Sequence, residues 1–308
     1  MFKKILLVIF SVAVVWLGVR FFVERNAPIV KPGPGAAKQD LERRKYLWKE
    51  LEKEVLAEKR LFGQEAGLVI EDLATGWRIT LDKDKPIPAA SMVKLPILAS
   101  YGRAAAERKV NLAEKITLRQ RDVVAGSGIL KTLPTGQEFT IDQLLTIMIS
   151  ESDNTATNML IDRLGFGYLN SSFKALGLKR TNLARKMMDM KSRRKGDENF
   201  TTAEDLSSLL EKIYYGRLVS RNYSKKCLAI LLAQKMKDRI PRKLPASVPV
   251  AHKTGLENFV CHDAGLVFTP KGNFLICVLT KHNLKTAKPA KRFIQQVALK
   301  TYEFYQSL

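Results

Sequence analysis

The sequence is poor in cysteine and histidine, with three of each among 308 residues. The cysteines Cys227, Cys261 and Cys277 allow at most one disulfide bond, and their spacing matches no zinc-binding pattern. The histidines are too few and too scattered along the chain to indicate a metal site. We therefore expect a protein that uses neither a metal ion nor another cofactor.

Acidic residues are also scarce, because 52 lysines and arginines face 30 aspartates and glutamates, giving a formal charge of +22. Such an excess favours anionic neighbours, among them lipid headgroups and acidic polymers, and the alternative is an ordinary solvated basic surface. No run of lysine and arginine is interleaved with stacking aromatic residues, so we expect no nucleic-acid partner. The hydrophobic fraction of 46% is sufficient for a real core, in one large domain or two closely packed lobes.

The start of the chain indicates a location. Lys3 and Lys4 precede an apolar run over residues 5–19, which has the length of a signal peptide or of a short membrane span. The run has no A-x-A-like cleavage site after it and no cysteine nearby to carry a lipid. We predict an uncleaved anchor in the cytoplasmic membrane over residues 1–27, with the rest exported to the cell envelope. A cleaved signal and a buried core helix are the alternatives.

The rest of the sequence divides into a linker, strands and helices. A Pro/Gly linker is predicted at 28–40, followed by a helix with Leu41, Trp48, Leu51 and Val55 on one face. A hairpin follows with a turn ending at Gly76, then a largely helical region over 91–216, a second hairpin around 270–273 and a last helix near 287–305. This order predicts a mixed α and β fold, with a sheet lobe from 41–88 and 225–308 and an inserted helical lobe over 89–224.

The stretch "AASMVKLPILA" contains an S-x-x-K motif. It places Ser91 near the start of an apolar helix with Lys94 on the same face. A buried lysine with a lowered pKa can accept the hydroxyl proton of such a serine, and a helix N-terminus can stabilise developing negative charge. The alternative is a serine that caps the helix and a lysine on the surface.

Two further motifs follow along the chain. The S-D-N of "ISESDNTATN" can present Ser152 as a proton relay and Asn154 as a hydrogen-bond donor, or it can simply cap a helix. The K-T-G of "VAHKTGLENF" ends a strand, where Lys253 and Thr254 can bind a carboxylate and Gly255 lets the backbone approach a ligand. Each triplet alone is common by chance.

Together and in this order, the three motifs resemble those of class A β-lactamases and penicillin-binding proteins. The intervals between them look like class A spacing, and "SDNTATNMLIDRLG" reads like the family's segment after its S-D-N. The resemblance covers residues 45–308 approximately. It implies a β-lactamase/D,D-peptidase-like fold, in which an antiparallel sheet is flanked by helices and carries an all-helical lobe.

The resemblance also implies a role for each motif residue. Ser91 would be the acylated nucleophile, Lys94 its base, and Ser152 the residue that passes a proton to the leaving nitrogen. The oxyanion hole would be formed by the main-chain N–H groups of Ser91 and Leu256. For substrate binding, the resemblance implies that Asn154 contacts the amide side chain of the substrate. Its carboxylate would be bound by the K-T-G segment, Lys253, Thr254 and Gly255.

The departure from the family lies in "LARKMMDMKSRRKG", residues 183–196. Class A enzymes carry there an E-P-E-L-N-type stretch, whose first glutamate activates the water that clears the acyl-enzyme. An ungapped match puts Met187 at that glutamate, Met188 at the proline, Asp189 at the second acid and Lys191 at the asparagine. A thioether cannot take a proton from water. Asp189 is therefore either a substitute base or a surface carboxylate paired with a neighbouring cation.

Three functional hypotheses follow. The first is a β-lactamase-like serine hydrolase that forms an acyl-enzyme with β-lactams and releases it slowly. The second is a penicillin-binding-protein-like D,D-peptidase acting on peptidoglycan stem peptides. The third is a sensor that binds or is acylated by such ligands without turnover. The full proton-transfer set of Ser91, Lys94 and Ser152 favours the first two over the third.

Overall fold

The structure is a computed structural model that describes the backbone of residues 34–308 and the side chains from residue 40 onward. The anchor predicted for residues 1–27 lies outside the described residues, as do residues 28–33 of the predicted linker. The rest of that linker is helical, since the first helix begins at Pro34. Proline is well tolerated at such a position because a helix leaves its first N–H groups unbonded. Among the helices of residues 34–308, none is both long and apolar enough to cross a membrane.

The helices and strands are numbered in chain order. The eight helices of the described residues are α1 Pro34–Phe62, α2 Lys94–Ala106, α3 Ile141–Ser150, α4 Asn154–Ala175, α5 Met190–Arg194, α6 Ala203–Tyr214, α7 Arg221–Leu232 and α8 Lys288–Ser307. The nine strands of the same part are β1 Glu65–Asp72, β2 Arg78–Leu81, β3 Ile87–Pro88, β4 Lys115–Thr117, β5 Glu138–Thr140, β6 Phe200–Thr201, β7 Val250–Glu257, β8 Val260–Thr269 and β9 Gly272–Lys281.

Five strands form one antiparallel sheet in the order β2-β1-β9-β8-β7. Both predicted hairpins are confirmed, because β1 pairs with β2 and β8 pairs with β9. The pairing of β1 with β9 joins the two ends of the chain across more than 200 residues, as the predicted mixed sheet requires. Strand β7, which carries the K-T-G motif, lies at one edge of the sheet.

Helices α1 and α8 cover one face of the sheet. The buried face of α1 contains Trp48, Leu51 and Val55 as predicted, and Trp48 contacts Phe304 of α8 edge to face. Leu41, however, is 41% exposed and does not belong to this face. Arg43, two residues after Leu41, donates to the carbonyl of Ser307 at the end of α8. Leu41 therefore lies past the end of α8 and has no part of that helix to pack against.

The opposite face of the sheet packs against helices of the inserted segment. Position 225, the predicted start of the second part of the sheet lobe, falls inside α7, whose Tyr223, Cys227 and Leu231 join a core that sheet and helices share. Helix α6 lies within the predicted helical lobe but packs on β1 and β9. An apolar stripe shows that a helix buries one face, and it does not show which neighbour that face meets.

The cysteines are all unpaired and buried: Cys227, Cys261 and Cys277.

Candidate active site

Ser91 and Lys94 lie at the junction of a 3-10 turn and a buried helix. The turn covers Ala90–Val93, and α2 begins at Lys94 itself. Pro96 falls in the first turn of α2, where no helical hydrogen bond is lost, and this explains why the helix begins so close to the serine. Ala90 has a φ of 45°, a left-handed conformation that is costly for alanine and typical of strained functional sites.

Lys94 is completely buried, which excludes the alternative of a surface lysine. Its Nζ donates to Ser91 Oγ at 3.1 Å, to the Ser152 carbonyl at 2.6 Å and to Asn154 Oδ1 at 2.9 Å. Burial lowers the pKa of Lys94 to about 7, and the nearby negative charge of Asp153 opposes this shift. The amine is therefore neutral in a large fraction of molecules near neutral pH, and it can then accept a proton from Ser91.

Ser152 lies between two lysines in the turn that joins α3 to α4. Its hydroxyl oxygen accepts from Lys94 Nζ at 3.2 Å and from Lys253 Nζ at 2.9 Å. The φ of Ser152 is 53°, so the backbone is held in a left-handed conformation that directs the hydroxyl into the site. A hydroxyl with two amines as neighbours can pass a proton in either direction.

The middle residue of the S-D-N motif takes the helix-capping role that the sequence analysis offered as the alternative for the whole motif. One carboxylate oxygen of Asp153 caps α4 by accepting from the Ala156 N–H at 2.8 Å. The other accepts from the N–H groups of Ile129 at 2.6 Å and Leu130 at 2.8 Å. The motif is therefore both a helix cap, through Asp153, and part of the site, through the residues on either side.

Asp153 and Asn154 hold a glycine-rich loop over the site. Asn154 accepts from Lys94 through its oxygen and donates from Nδ2 to the Ala125 carbonyl at 3.2 Å. Gly128 has a φ of 120°, and a Cβ there would lie 2.2 Å from a carboxylate oxygen of Asp153. Only glycine fits this position. The G-S-G of "VVAGSGIL" was the available sequence signal, and it was missed because it lies in a segment without a regular pattern.

Lys253 is the second buried amine of the site. It is fully buried on the edge strand β7 and donates to the Thr254 carbonyl at 2.7 Å as well as to Ser152. Burial lowers the pKa of Lys253 well below its ordinary value, and the positive charges of Lys94 and Arg239 add to this effect. An anionic substrate group beside this strand would favour the charged form of the amine and oppose that shift.

A buried pair behind the K-T-G motif was not predicted. His252 Nδ1 lies 2.9 Å from Asp263 Oδ1, across the β7–β8 pairing. The other oxygen of Asp263 accepts from the Ile240 N–H at 3.0 Å, next to Arg239. Asp263 thus places one negative charge beneath a group of basic side chains, which limits the cost of burying them.

Gly255 serves a close approach between two parts of the protein. A Cβ at this position would lie 3.0 Å from both Met92 and His262, so a larger residue would push β7 away from the turn that carries Ser91. The K-T-G glycine therefore lets the strand lie against the turn that carries Ser91.

A cavity of about 770 Å³ opens above Ser91. Its walls are the glycine-rich loop, the loop with the methionines, the β7–β8 turn and the segment between β9 and α8. Among the residues that line it are Ser91, Ser127, Asn154, Met187, Met188, Met190, Arg193, Leu256, Glu257 and Phe259. Leu256, predicted to contribute to the oxyanion hole, lines the same cavity as Ser91 and has a side chain that is 49% exposed.

Met187 is held at the cavity wall by Asn158 of α4. The main-chain N–H of Met187 donates to Asn158 Oδ1 at 2.8 Å, and Asn158 Nδ2 donates to the Met187 carbonyl at 3.1 Å. The side chain of Met187 is buried and lines the cavity. A thioether therefore occupies a defined position in the wall, fixed by main-chain contacts that do not depend on the side chain.

The carboxylate of Asp189, unlike the side chain of Met187, is bound to the end of a helix. Its carboxylate caps the short helix α5 by accepting from the Ser192 N–H at 2.9 Å. Hydrogen bonds from Ser192 hold the pKa of Asp189 below its ordinary value. Its neighbours Met188 and Met190 line the cavity, whereas the carboxylate accepts its hydrogen bond from the N-terminal end of α5. The partner of Asp189 is thus a helix N-terminus, where the sequence interpretation offered a catalytic base or a paired cation.

No group of three or more histidine, cysteine or acidic side chains that could hold a metal ion is found within residues 34–308. The five residues of the motifs that were predicted to act together do meet in one place: Ser91, Lys94, Ser152, Asn154 and Lys253.

The sequence and the fold of this chain are similar to those of known proteins. The sequence model of the β-lactamase enzyme family matches residues 47–305. Among curated proteins, β-lactamase VEB-1 of Pseudomonas aeruginosa is 23% identical over 245 residues, which cover 74% of this chain and 81% of that protein.

Solved structures agree with the sequence comparison. A β-lactamase from Sphaerobacter thermophilus is 31% identical with a TM-score of 0.76, covering 85% of this chain and 98% of that chain. A single-residue mutant of PBP-A, solved as an acyl-enzyme complex with penicillin G, is 30% identical with a TM-score of 0.77, covering 84% and 97% respectively. The fold predicted from the sequence is confirmed by these similarities.

Proposed function

The chain belongs to the β-lactamase enzyme family, and we propose that it forms an acyl-enzyme with β-lactams through Ser91 and releases it slowly. The observation that carries this proposal is the contact between the buried amine of Lys94 and Ser91 Oγ, at 3.1 Å. A neutral amine at this distance can remove the hydroxyl proton as the oxygen attacks a carbonyl carbon. The family and its relatives support a β-lactam as the substrate.

Acylation proceeds by one bond formed and one broken. Lys94 takes the proton of Ser91, whose oxygen adds to the lactam carbonyl, and the carbonyl oxygen becomes negative. The main-chain N–H groups of Ser91 and Leu256 stabilise that charge. The C–N bond then breaks, and Ser152 gives its proton to the departing nitrogen. Lys94 returns the proton to Ser152, with which it is in contact at 3.2 Å.

Substrate binding uses Asn154, which lines the cavity, and the K-T-G segment, whose next residue Leu256 lines it as well. Asn154 donates to the amide side chain of the substrate, while Lys253 and Thr254 bind its carboxylate. The buried position of Lys253 and the nearby charge of Arg239 support an anionic group at this end of the site. Neutral analogues without the carboxylate are expected to acylate Ser91 more slowly for this reason.

Slow release follows from the composition of the methionine loop. Hydrolysis of the serine ester requires a group that takes a proton from water, and the thioether of Met187 cannot do so. Asp189 is engaged at the N-terminus of α5, and its low pKa makes it a weak base. The acyl-enzyme is accordingly expected to accumulate.

A second candidate is a D,D-peptidase of the same fold that acts on peptidoglycan stem peptides. The similarity to PBP-A, at 30% identity over 84% of this chain, favours this candidate. Both candidates share the acylation step and differ in the substrate that forms the ester. Turnover of a D-Ala-D-Ala peptide by the wild-type protein, at rates above those for penicillins, would favour the peptidase.

We further propose that the enzyme acts in the cell envelope, attached to the cytoplasmic membrane by its N-terminal segment. The apolar run over residues 5–19 behind Lys3 and Lys4 supports this. Fractionation of cells that express the full chain tests it. Recovery of the full-length protein in the membrane fraction, digestible by protease added to spheroplasts, is expected, and recovery in the cytosol would contradict it.

Time-resolved mass spectrometry with benzylpenicillin tests the central proposal. We expect the mass of one penicillin to be added within seconds to minutes and to persist, and the Ser91→Ala variant to stay unmodified. Absence of any adduct at saturating penicillin would refute acylation. Rapid turnover without an accumulated adduct would refute slow release while leaving acylation intact.

A further inference from the structure

Four charged side chains close a ring beside the cavity, and this set, Arg185, Arg193, Glu198 and Glu257, is named the ion-pair ring. Arg185 Nη2 lies 2.8 Å from Glu198 and 3.3 Å from Glu257. Arg193 lies 3.1 Å from each of the same two carboxylates. Each arginine therefore bridges both glutamates, and charges alternate in sign around the ring. Such a network has a more defined geometry than an isolated surface pair.

The ion-pair ring joins two segments that are far apart in sequence. Arg185, Arg193 and Glu198 belong to the loop that carries Met187 and to α5, whereas Glu257 is the last residue of the edge strand β7. Arg185 is 3% exposed, and the other three side chains are half-buried. Arg193 and Glu257 also line the cavity. The ring thus spans one side of the cavity mouth and connects its two walls.

The end of the β7–β8 hairpin is attached at three places. Gly255 lies against Met92 in the turn that carries Ser91, and the Phe259 carbonyl accepts from the His282 N–H at 2.8 Å. Glu257 provides the third attachment, through the ion-pair ring. Strand β7 has a neighbour on one side, β8, and the last pairing of the hairpin is Glu257 with Val260. The side chains of Leu256 and Phe259 are 49% and 59% exposed, so they contribute little packing. Phe259 has a φ of 67°, a conformation that is unfavourable for an aromatic residue. Glu257 is therefore the residue that joins this hairpin end to the loop that carries Met187.

We propose that Glu257 and Arg193 are positioning residues: through the ion-pair ring they hold the main chain of Leu256 at the distance from Ser91 that acylation requires. This inference rests on the proposed function, because Leu256 is the second oxyanion donor in it. Donors that stabilise a transition state must be in place before the reaction, and small displacements weaken them strongly. The ring supplies that placement from outside the group of reacting residues.

Glu257→Gln is the variant that tests this role. It keeps the shape of the side chain and removes its charge, and Arg185 keeps Glu198 as its partner, so no buried charge is left unpaired. Glu114→Gln is the matched control, because Glu114 forms a bidentate pair with Arg163 at 2.5 and 2.8 Å, away from the cavity. The acylation rate constant with benzylpenicillin is measured for both variants and for the wild-type protein.

We expect the acylation rate constant of Glu257→Gln to fall roughly tenfold. The Glu114→Gln variant should acylate like the wild-type protein. Arg193→Gln leaves Glu257 paired with Arg185, so its acylation rate constant should fall less than that of Glu257→Gln. The double variant Arg193→Gln/Glu257→Gln should be little worse than Glu257→Gln alone, since both substitutions remove the Arg193–Glu257 contact. Additive effects in this double-mutant cycle, or an unchanged acylation rate constant in Glu257→Gln, would overturn the proposal.

Hydrogen exchange gives a readout that does not depend on the substrate. In Glu257→Gln the segments 254–261 and 183–198 should exchange faster than in the wild-type protein and in Glu114→Gln. If the wild-type protein is not acylated by any penicillin, the proposed function fails, and exchange alone decides whether the ring holds the hairpin. Faster exchange with unchanged acylation would make the ring purely structural, and unchanged exchange would also refute its role.

Discussion

Asn158 forms hydrogen bonds with both main-chain groups of Met187: its Oδ1 accepts from the N–H at 2.8 Å, and its Nδ2 donates to the carbonyl at 3.1 Å. The contact connects α4, which follows the S-D-N motif, to the loop in which the sequence departs from its family. Because the bonds involve only the backbone of Met187, they hold the position and leave the chemistry of the side chain free to vary. This relationship makes Met187 a suitable residue for substitution.

Replacing Met187 by glutamate should restore efficient release of the acyl-enzyme. The new carboxylate would stand in the cavity wall at a backbone position that Asn158 already holds, and it could take a proton from water. Since a general base contributes about 10²–10⁴-fold, we expect deacylation to accelerate at least roughly tenfold. Met187→Gln is the control, because it is similar in size and lacks a base. The lifetime of the penicillin adduct, followed by mass spectrometry, measures the effect, and equal lifetimes in both variants would contradict the prediction.

Acylation should depend on pH through Lys94. Burial lowers the pKa of Lys94 to about 7, so the amine is protonated below this pH and neutral above it. Only the neutral amine can accept the Ser91 proton, and the acylation rate constant should therefore rise about tenfold per pH unit below pH 7 and level off above it. Stopped-flow labelling with a fluorescent penicillin between pH 5 and 9 measures this profile. A flat profile would show that another group removes the proton.

Asp189 should prove dispensable for turnover. Its carboxylate caps α5, and asparagine can accept the same hydrogen bond from the Ser192 N–H. We expect Asp189→Asn to leave the steady-state hydrolysis of a chromogenic cephalosporin unchanged. Asp189→Ala removes the cap of α5 and should lower the midpoint of urea denaturation relative to Asp189→Asn. Loss of hydrolysis in Asp189→Asn would identify this residue as the base after all.

Gly128 should tolerate no side chain. In Gly128→Ala the new Cβ would collide with the Asp153 carboxylate at 2.2 Å, displacing the residue that caps α4 beside Ser152. We expect the free energy of unfolding to fall by more than about 3 kcal/mol, and penicillin labelling to be lost. Gly136→Ala isolates the backbone cost, because Gly136 also has a positive φ but nothing within 4 Å, and it should cost about 1–2 kcal/mol. Equal costs in the two variants would show that the contact with Asp153 is unimportant.

Much of the site could be predicted because its parts are local. The three-residue spacing of Ser91 and Lys94, and the polar turn of Ser152 and Asn154 between two apolar helices, can each be read within a few residues. The strand that carries Lys253 was also predicted, but it continues to Glu257 and does not end at the K-T-G motif. The two hairpins follow from alternating apolar residues interrupted by turn residues. These features depend on steric limits and on periodicity, which act over short stretches of chain.

The sequence alone thus determined the fold class, the order of the motifs and the pairing of Ser91 with Lys94. The tertiary structure decided which partners distant residues meet: Asp153 with Gly128, His252 with Asp263, Glu257 with the two arginines of the loop, and Asp189 with the N-terminus of α5. A charged side chain in a basic sequence has many possible partners. The choice among them depends on which segments the core brings together, and no local pattern contains that information.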